Sequence, residues 1–158
     1  MKKETTNRNS FARFLFVLYT ATMLWLLFCR PSGRIEGLTY QQMLQQNTNL
    51  HPFYTIGNYL QVVFKGTNPS MLRHCIINLG GNIFLFIPVG FLLPKIWKKM
   101  RNFFRFFAVC AGSIFIVEVI QLFTLLGSFD VDDLILNLFG MTIGFLIFTI
   151  ANALKRQK

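Results

Sequence analysis

Acidic residues are scarce in this sequence. Six Asp and Glu stand against sixteen Lys and Arg in 158 residues, and charged residues of both signs reach only 14%. A soluble domain carries about a quarter charged residues, so a soluble globular protein is excluded, and a content of 53% hydrophobic and 16% aromatic residues points to an integral membrane protein. Histidine is limited to His51 and His74, which stand apart from each other and read as surface or interface residues. Cys29, Cys75 and Cys110 have no metal-ligand spacing. They read as small apolar packing residues, and a Cys29–Cys75 disulfide is the weaker reading. There is no H-E-x-x-H, no G-x-S-x-G and no phosphate-binding glycine loop. Repeats of 20 to 50 residues and low-complexity tracts are also missing. No cofactor is implied.

What is abundant is apolar sequence in long runs. Residues Phe14 to Cys29, Ile76 to Leu93, Phe106 to Leu126 and Leu134 to Leu154 approach or reach the roughly 17 to 25 residues that a helix needs to cross a bilayer. The expected fold is therefore an all-α integral membrane protein, a single domain over residues 1–158 with four transmembrane helices. The first run is the shortest, and Arg13 and Arg30 can snorkel from its ends. Its basic flank would also suit a cleaved signal peptide, but "LFCRPSG" is a poor cleavage site, so an anchored helix is the better reading.

Lys and Arg in the flanks set the orientation. Lys2, Lys3, Arg8 and Arg13 precede the first run. Lys95, Lys98, Lys99, Arg101 and Arg105 join the second and third runs, and Lys155, Arg156 and Lys158 end the chain. The other connections hold only Arg30, Arg34, Lys65 and Arg73. Both termini are therefore expected in the cytoplasm, with the loop 30–75 and the turn after the third run outside. The net charge of +10 then reports orientation and attraction to anionic lipid, with no nucleic acid as partner.

Short helices are expected in the first outer loop. Ile56, Tyr59, Leu60, Val63 and Phe64 form an apolar stripe too short to span, with Thr55 as its cap. Upstream, "TYQQ" at 39–42 has the form of a capping box, and Pro52 forces a turn between the two segments. Both helices are expected to lie in the membrane interface, or simply to pack over the helix ends.

The polar residues within the runs carry the functional signal. Asn78 and Asn82 share a face in the outer half of the second helix, and Pro88 should kink that helix near Phe84 and Leu85. Glu118 and Gln121 share a face of the third helix, about 12 and 7 Å below its outer end by the helical rise. An intramembrane carboxylate costs at least a few kcal/mol unless paired, protonated or wetted, so Glu118 should face the bundle interior. Asp133, Asn137, Gly140 and Gly144 lie along one face of the fourth helix, and the two glycines form a G-x-x-x-G pair suited to close packing.

Half of the acids sit in "GSFDVDD", 127–133. Asp130 can cap the fourth helix with Asp133 at the capping-box position. A cation held by Asp130, Asp132 and Asp133 is the weaker alternative, and the primary reading has no metal. Topology and spacing together place Asn78, Asn82, Glu118, Gln121, Asp130, Asp132, Asp133 and Asn137 at one depth, where they are expected to form an outward-facing polar pocket. The bland alternative for the amides is interhelical hydrogen bonding alone.

The ordered motifs "NLGGNIFLFIPVGFLLP" (78–94), "EVIQ" (118–121) and "GSFDVDDLILNLFGMTIG" (127–144), with "LHPFYTI" (50–56), resemble the VanZ-like family of small membrane proteins. Asn82, Pro88, Gly90, Glu118, Gln121, Asp133, Asn137 and Gly140 are the counterparts of the family pattern. Many members carry an arginine in the turn before the acids; Leu126, Gly127 and Ser128 supply none, so no role of that arginine transfers. The resemblance implies a protein of the bacterial cytoplasmic membrane linked to resistance to teicoplanin, a lipid-bearing glycopeptide that acts at the outer surface on cell-wall precursors.

Two functions compete. In the first, the outward pocket binds a lipid-linked cell-wall precursor or a lipophilic glycopeptide and limits antibiotic access without catalysis; Glu118→Gln should then retain much of the activity. In the second, the protein is an intramembrane enzyme modifying a lipid or precursor, with Glu118 and Asp133 catalytic and Asp130, Asp132 and Asp133 holding a divalent ion. Expected partners are membrane lipids and one of these ligands, with oligomer formation left open. A transporter fits poorly, because four helices without an inverted repeat offer little for alternating access.

Overall fold

The computed structural model describes residues 2–29, 36–66 and 68–157. In chain order the elements are α1 (Lys2–Phe28), α2 (Tyr40–Gln46), β1 (Thr48–Asn49), α3 (Tyr54–Lys65), α4 (Pro69–Phe84), α5 (Ile87–Ile96), a 3₁₀ turn (Lys98–Arg101), α6 (Phe103–Thr124), β2 (Phe129–Asp130) and α7 (Val131–Arg156). Four helical segments are long and apolar enough to cross a membrane: Ser10–Phe28, Pro69–Ile96, Phe103–Thr124 and Val131–Lys155. This is a multi-pass membrane protein. Each span overlaps an expected run; the second and fourth contain theirs, while the first and third begin earlier and end one and two residues short of theirs. Arg30 and Arg34 lie outside the described residues.

The second span is divided. Pro88 has no N–H, and its ring disfavours a continuous helix one turn earlier. The helix breaks at Leu85–Phe86, where expected, and the Phe86 N–H tightens onto the Ile83 carbonyl at 3.2 Å. The Leu85 carbonyl at this break accepts the Tyr19 hydroxyl of α1 at 2.7 Å. The break therefore also becomes a docking point for α1.

Three glycines bring α7 against the divided span. A Cβ on Gly140 would overlap the Ile83 carbonyl, one on Gly144 the Ile87 carbonyl, and one on Gly90 the Met141 carbonyl. The G-x-x-x-G face is thus spent on backbone contact with α4 and α5. Beside it, Phe86, Val89, Phe106, Cys110, Ile114, Leu138, Met141 and Phe145 form the buried core, joined by Met23 of α1. Many large apolar side chains point outward, among them Phe14, Val17, Phe104 and Ile116, as expected where hydrocarbon replaces water. The three cysteines are free, with Cys29 exposed and Cys75 and Cys110 buried.

The connection between α1 and α4 departs in part from expectation. The capping box forms as read, with Thr39 and Gln42 bonded reciprocally, and Pro52 sits in a turn. Thr55, however, does not cap α3. The N-cap is Phe53, in the left-handed region at φ 64° and without a side-chain cap. The all-α reading also missed a two-residue parallel pairing of β1 with β2, in register Thr48 to Phe129 and Asn49 to Asp130. A periodicity search has no power over strands of two residues.

Candidate functional site

The eight polar residues singled out from the sequence gather at the end of the bundle that carries α2, α3 and the turn before α7, and they divide into groups with different tasks.

Asp130 and Asp132 hold the α2–α3 connection onto α7. Asp130 is the N-cap of α7: one carboxylate oxygen accepts the Asp132 N–H at 2.8 Å and the Asn49 amide at 3.2 Å, and the other accepts the Thr55 hydroxyl at 2.7 Å. Asp132, fully buried, accepts the backbone N–H of Phe53 and, at 3.0 Å, that of Ile56. These are donors at the start of α3, so Asp132 caps that helix from a position 79 residues away in sequence. The same contact holds Phe53 in a conformation that a bulky residue seldom adopts. The nearby dipole of α7 favours the negative charge.

Asp133 faces another way. It accepts the amide of Asn82, which lies 3.5 Å from the Asn78 oxygen, so the capping-box position on α7 is used to reach α4. Tyr59 of α3 is half-buried beside this chain. Burial first, then Asp133, Cys75 and Asp130, push its phenol above the ordinary value, which keeps it a neutral hydrogen-bonding group. The three aspartates do not converge: among the described residues no three His, Cys, Asp or Glu are grouped to hold a metal ion. Gln121 is buried and donates to the Leu27 carbonyl at 2.9 Å, tying α6 to the end of α1.

Glu118 and Asn137 form the last group, and they border space. Glu118 is 5% and Asn137 3% exposed. The Asp130 backbone N–H bonds the Glu118 carboxyl, while Glu118 Oε2 and Asn137 Oδ1 have no partner among the described residues. Both residues line a cavity of about 200 Å³ between α1, α5, α6 and α7. Its walls are otherwise almost wholly apolar, including Met23, Phe86, Val89, Ile114 and Met141. Thr20 of α1 also lines it, and its hydroxyl is the third buried side-chain polar atom without a partner among the described residues. All three such atoms therefore belong to residues that line one cavity. Thr20 was not read from the sequence. A threonine in a spanning helix usually returns its hydroxyl to a carbonyl four residues earlier, as Thr22, Thr142 and Thr149 do, so nothing local set Thr20 apart.

A buried polar atom without a partner costs about 1–3 kcal/mol. Three at one apolar cavity make a site able to accept a hydrogen-bonding group on an apolar ligand. Among the described residues the arrangement supplies neither a nucleophile beside a base nor a clustered set of metal ligands.

The sequence profile of the family described as VanZ/LLP1 matches residues 16–152. Protein VanZ of Enterococcus faecium is 27% identical over 147 residues, which cover 93% of this chain and 79% of that protein. No solved structure matches.

Proposed function

The chain belongs to the VanZ/LLP1 family, and from that membership and the geometry of the cavity we propose that it is a cell-envelope protein of the bacterial cytoplasmic membrane that contributes to teicoplanin-type glycopeptide resistance by binding, without catalysis. The observation that carries a binding role is that Glu118, Asn137 and Thr20, whose buried side-chain oxygens lack partners among the described residues, all line one apolar cavity. The distribution of Lys and Arg supports an orientation with this end of the bundle outside, where the target of a glycopeptide lies. Occupation of the cavity by a lipid-linked precursor or a lipophilic glycopeptide would limit contact between drug and target. Asp130 and Asp132 serve this role indirectly, by holding the α2–α3 connection in place.

The test is expression in a susceptible Gram-positive host, with teicoplanin and vancomycin susceptibility measured against an empty-vector control and protein levels checked in the same membranes. Reduced teicoplanin susceptibility with an unchanged mass profile of envelope lipids is the expected result. Equal susceptibility with well-expressed protein would overturn the resistance assignment. A new lipid or precursor species that depends on Glu118 would replace binding with catalysis.

A further inference from the structure

The cavity has one side that differs from the others. On the side of α5 and α7, the lining residues Phe86, Val89, Asn137 and Met141 are buried. Leu24 of α1 and Val109 and Ser113 of α6, which also line it, are exposed. All three belong to spanning segments. The cavity is therefore reached sideways, between α1 and α6, from the hydrocarbon region of the bilayer. An aqueous solute has no route of that kind, whereas a chain already dissolved in the membrane does.

The size and the polar end narrow the occupant further. An apolar cavity of about 150 Å³ holds a molecule of roughly six carbons, so this one of about 200 Å³ takes a stretch of a single alkyl chain and not a whole diacyl lipid. Of the unpartnered atoms, Asn137 Oδ1 accepts, while Glu118 Oε2, in a protonated carboxyl, and Thr20 Oγ1 both donate and accept. A group that complements this set must donate and benefits from accepting. A hydroxyl does both and brings no charge into apolar walls. A carboxylate or an ammonium would bring a charge into those walls, and an ammonium could not accept from Thr20.

We propose that the cavity between α1, α5, α6 and α7 binds a single alkyl chain bearing a hydroxyl group, which enters from the membrane between Leu24 and Ser113 and hydrogen-bonds to Glu118, Asn137 and Thr20. This deepens the binding role given above and rests on it for its biological meaning. The chain can belong to a resident membrane lipid or to an added amphiphile, and the two sources are separable.

The test uses the full-length protein in nanodiscs of dioleoylphosphatidylcholine, whose headgroup has no hydrogen-bond donor. A diazirine-bearing dodecan-1-ol is photo-crosslinked, and the labelled residues are mapped by mass spectrometry. Label on the buried wall residues Val89 and Met141 is expected. Dodecan-1-ol should displace it about tenfold better than dodecane does, the discrimination that a site of unpaired buried hydrogen-bonding atoms can supply. Asn137→Leu should reduce that ratio, and Ser113→Trp, at the exposed rim, should abolish wall labelling while leaving the fold intact by thermal unfolding. Label confined to outward residues such as Phe115 and Ile116, or displacement equal for dodecane and dodecan-1-ol, would overturn the proposal, as would dodecylamine displacing the probe better than the alcohol. A hydroxyl-bearing lipid that co-purifies with the protein and is displaced by dodecan-1-ol would assign the source to the membrane. Competition intact without such a lipid would assign it to an added amphiphile. Failed labelling with resistance retained would sink this inference alone. Selective labelling with no resistance would sink the functional assignment alone.

Discussion

Asp132 shows how a charged residue within an apolar protein can be structural. It is fully buried and accepts two backbone N–H groups at the start of α3. Removing the acceptor leaves two buried donors unpaired, at about 1–3 kcal/mol each. Asp132→Ala is therefore expected to destabilise by about 2–5 kcal/mol in detergent and to expose the segment around Phe53 to protease. Asp132→Asn, which keeps one acceptor oxygen, should lose less. Thr20 is the opposite case. Its hydroxyl is buried at the cavity without a partner among the described residues, so Thr20→Val, equal in shape, should leave thermal stability unchanged or raise it by up to about 1 kcal/mol. A clear fall in stability would mean that Thr20 is bonded within the fold. The sequence reading gave Asp130 the cap of α7, which it is, and Asp133 the capping-box position, and it set all three aspartates in one pocket. Their three directions depend on where Asn49, Phe53, Thr55 and Asn82 lie, and no spacing within residues 127–133 encodes that.

At the scale of elements, the spans and their glycines were legible because each rests on a local rule: apolar length for the spans, the missing N–H of Pro88 for the break at Leu85–Phe86, and four-residue spacing for Gly140 and Gly144. The glycines make a sharp comparison. Gly140→Ala or Gly90→Ala places a methyl into the facing carbonyl of Ile83 or Met141 and should cost about 1–3 kcal/mol or more, as overpacking does. Gly81→Ala and Gly112→Ala meet nothing within 4 Å and should be neutral or slightly stabilising in their helices. Matched unfolding curves for the four variants check this; equal losses at all four positions would contradict the close packing of α7 on α4 and α5. The N-terminus of α3 was misread because Thr55 fits the local pattern of a cap. Its hydroxyl bonds Asp130 instead, and the cap comes from Asp132. Caps supplied from a distant element, like the β1–β2 pairing, are tertiary contacts and leave no local signature.

For the whole molecule, the central quantity is the distribution of charge between the two ends. Twelve of the sixteen Lys and Arg belong to the flanks that the proposal assigns to the cytoplasm, and that assignment would make the Glu118 end of the bundle the outer one. A Ser128→Cys variant in a background without Cys29, Cys75 and Cys110 should react with a membrane-impermeant maleimide in intact cells. A cysteine in place of Lys155 should react only after permeabilisation, and the reverse pattern would turn the site inward. The separation of structural acids from the Glu118 cavity is also a property of the whole, since α1, α6 and α7 must assemble before Thr20, Glu118 and Asn137 line one cavity.

The most direct measurement compares teicoplanin susceptibility in a susceptible Gram-positive host expressing wild type, Glu118→Gln or Glu118→Leu at matched membrane levels. Glutamine keeps an oxygen for the Asp130 N–H and a hydrogen-bonding group toward the cavity, whereas leucine keeps only the bulk. Binding without catalysis gives resistance that largely survives Glu118→Gln and is lost in Glu118→Leu. Loss of resistance in Glu118→Gln equal to that in Glu118→Leu, with both proteins folded and abundant, would show that ionisation is essential and would contradict the account.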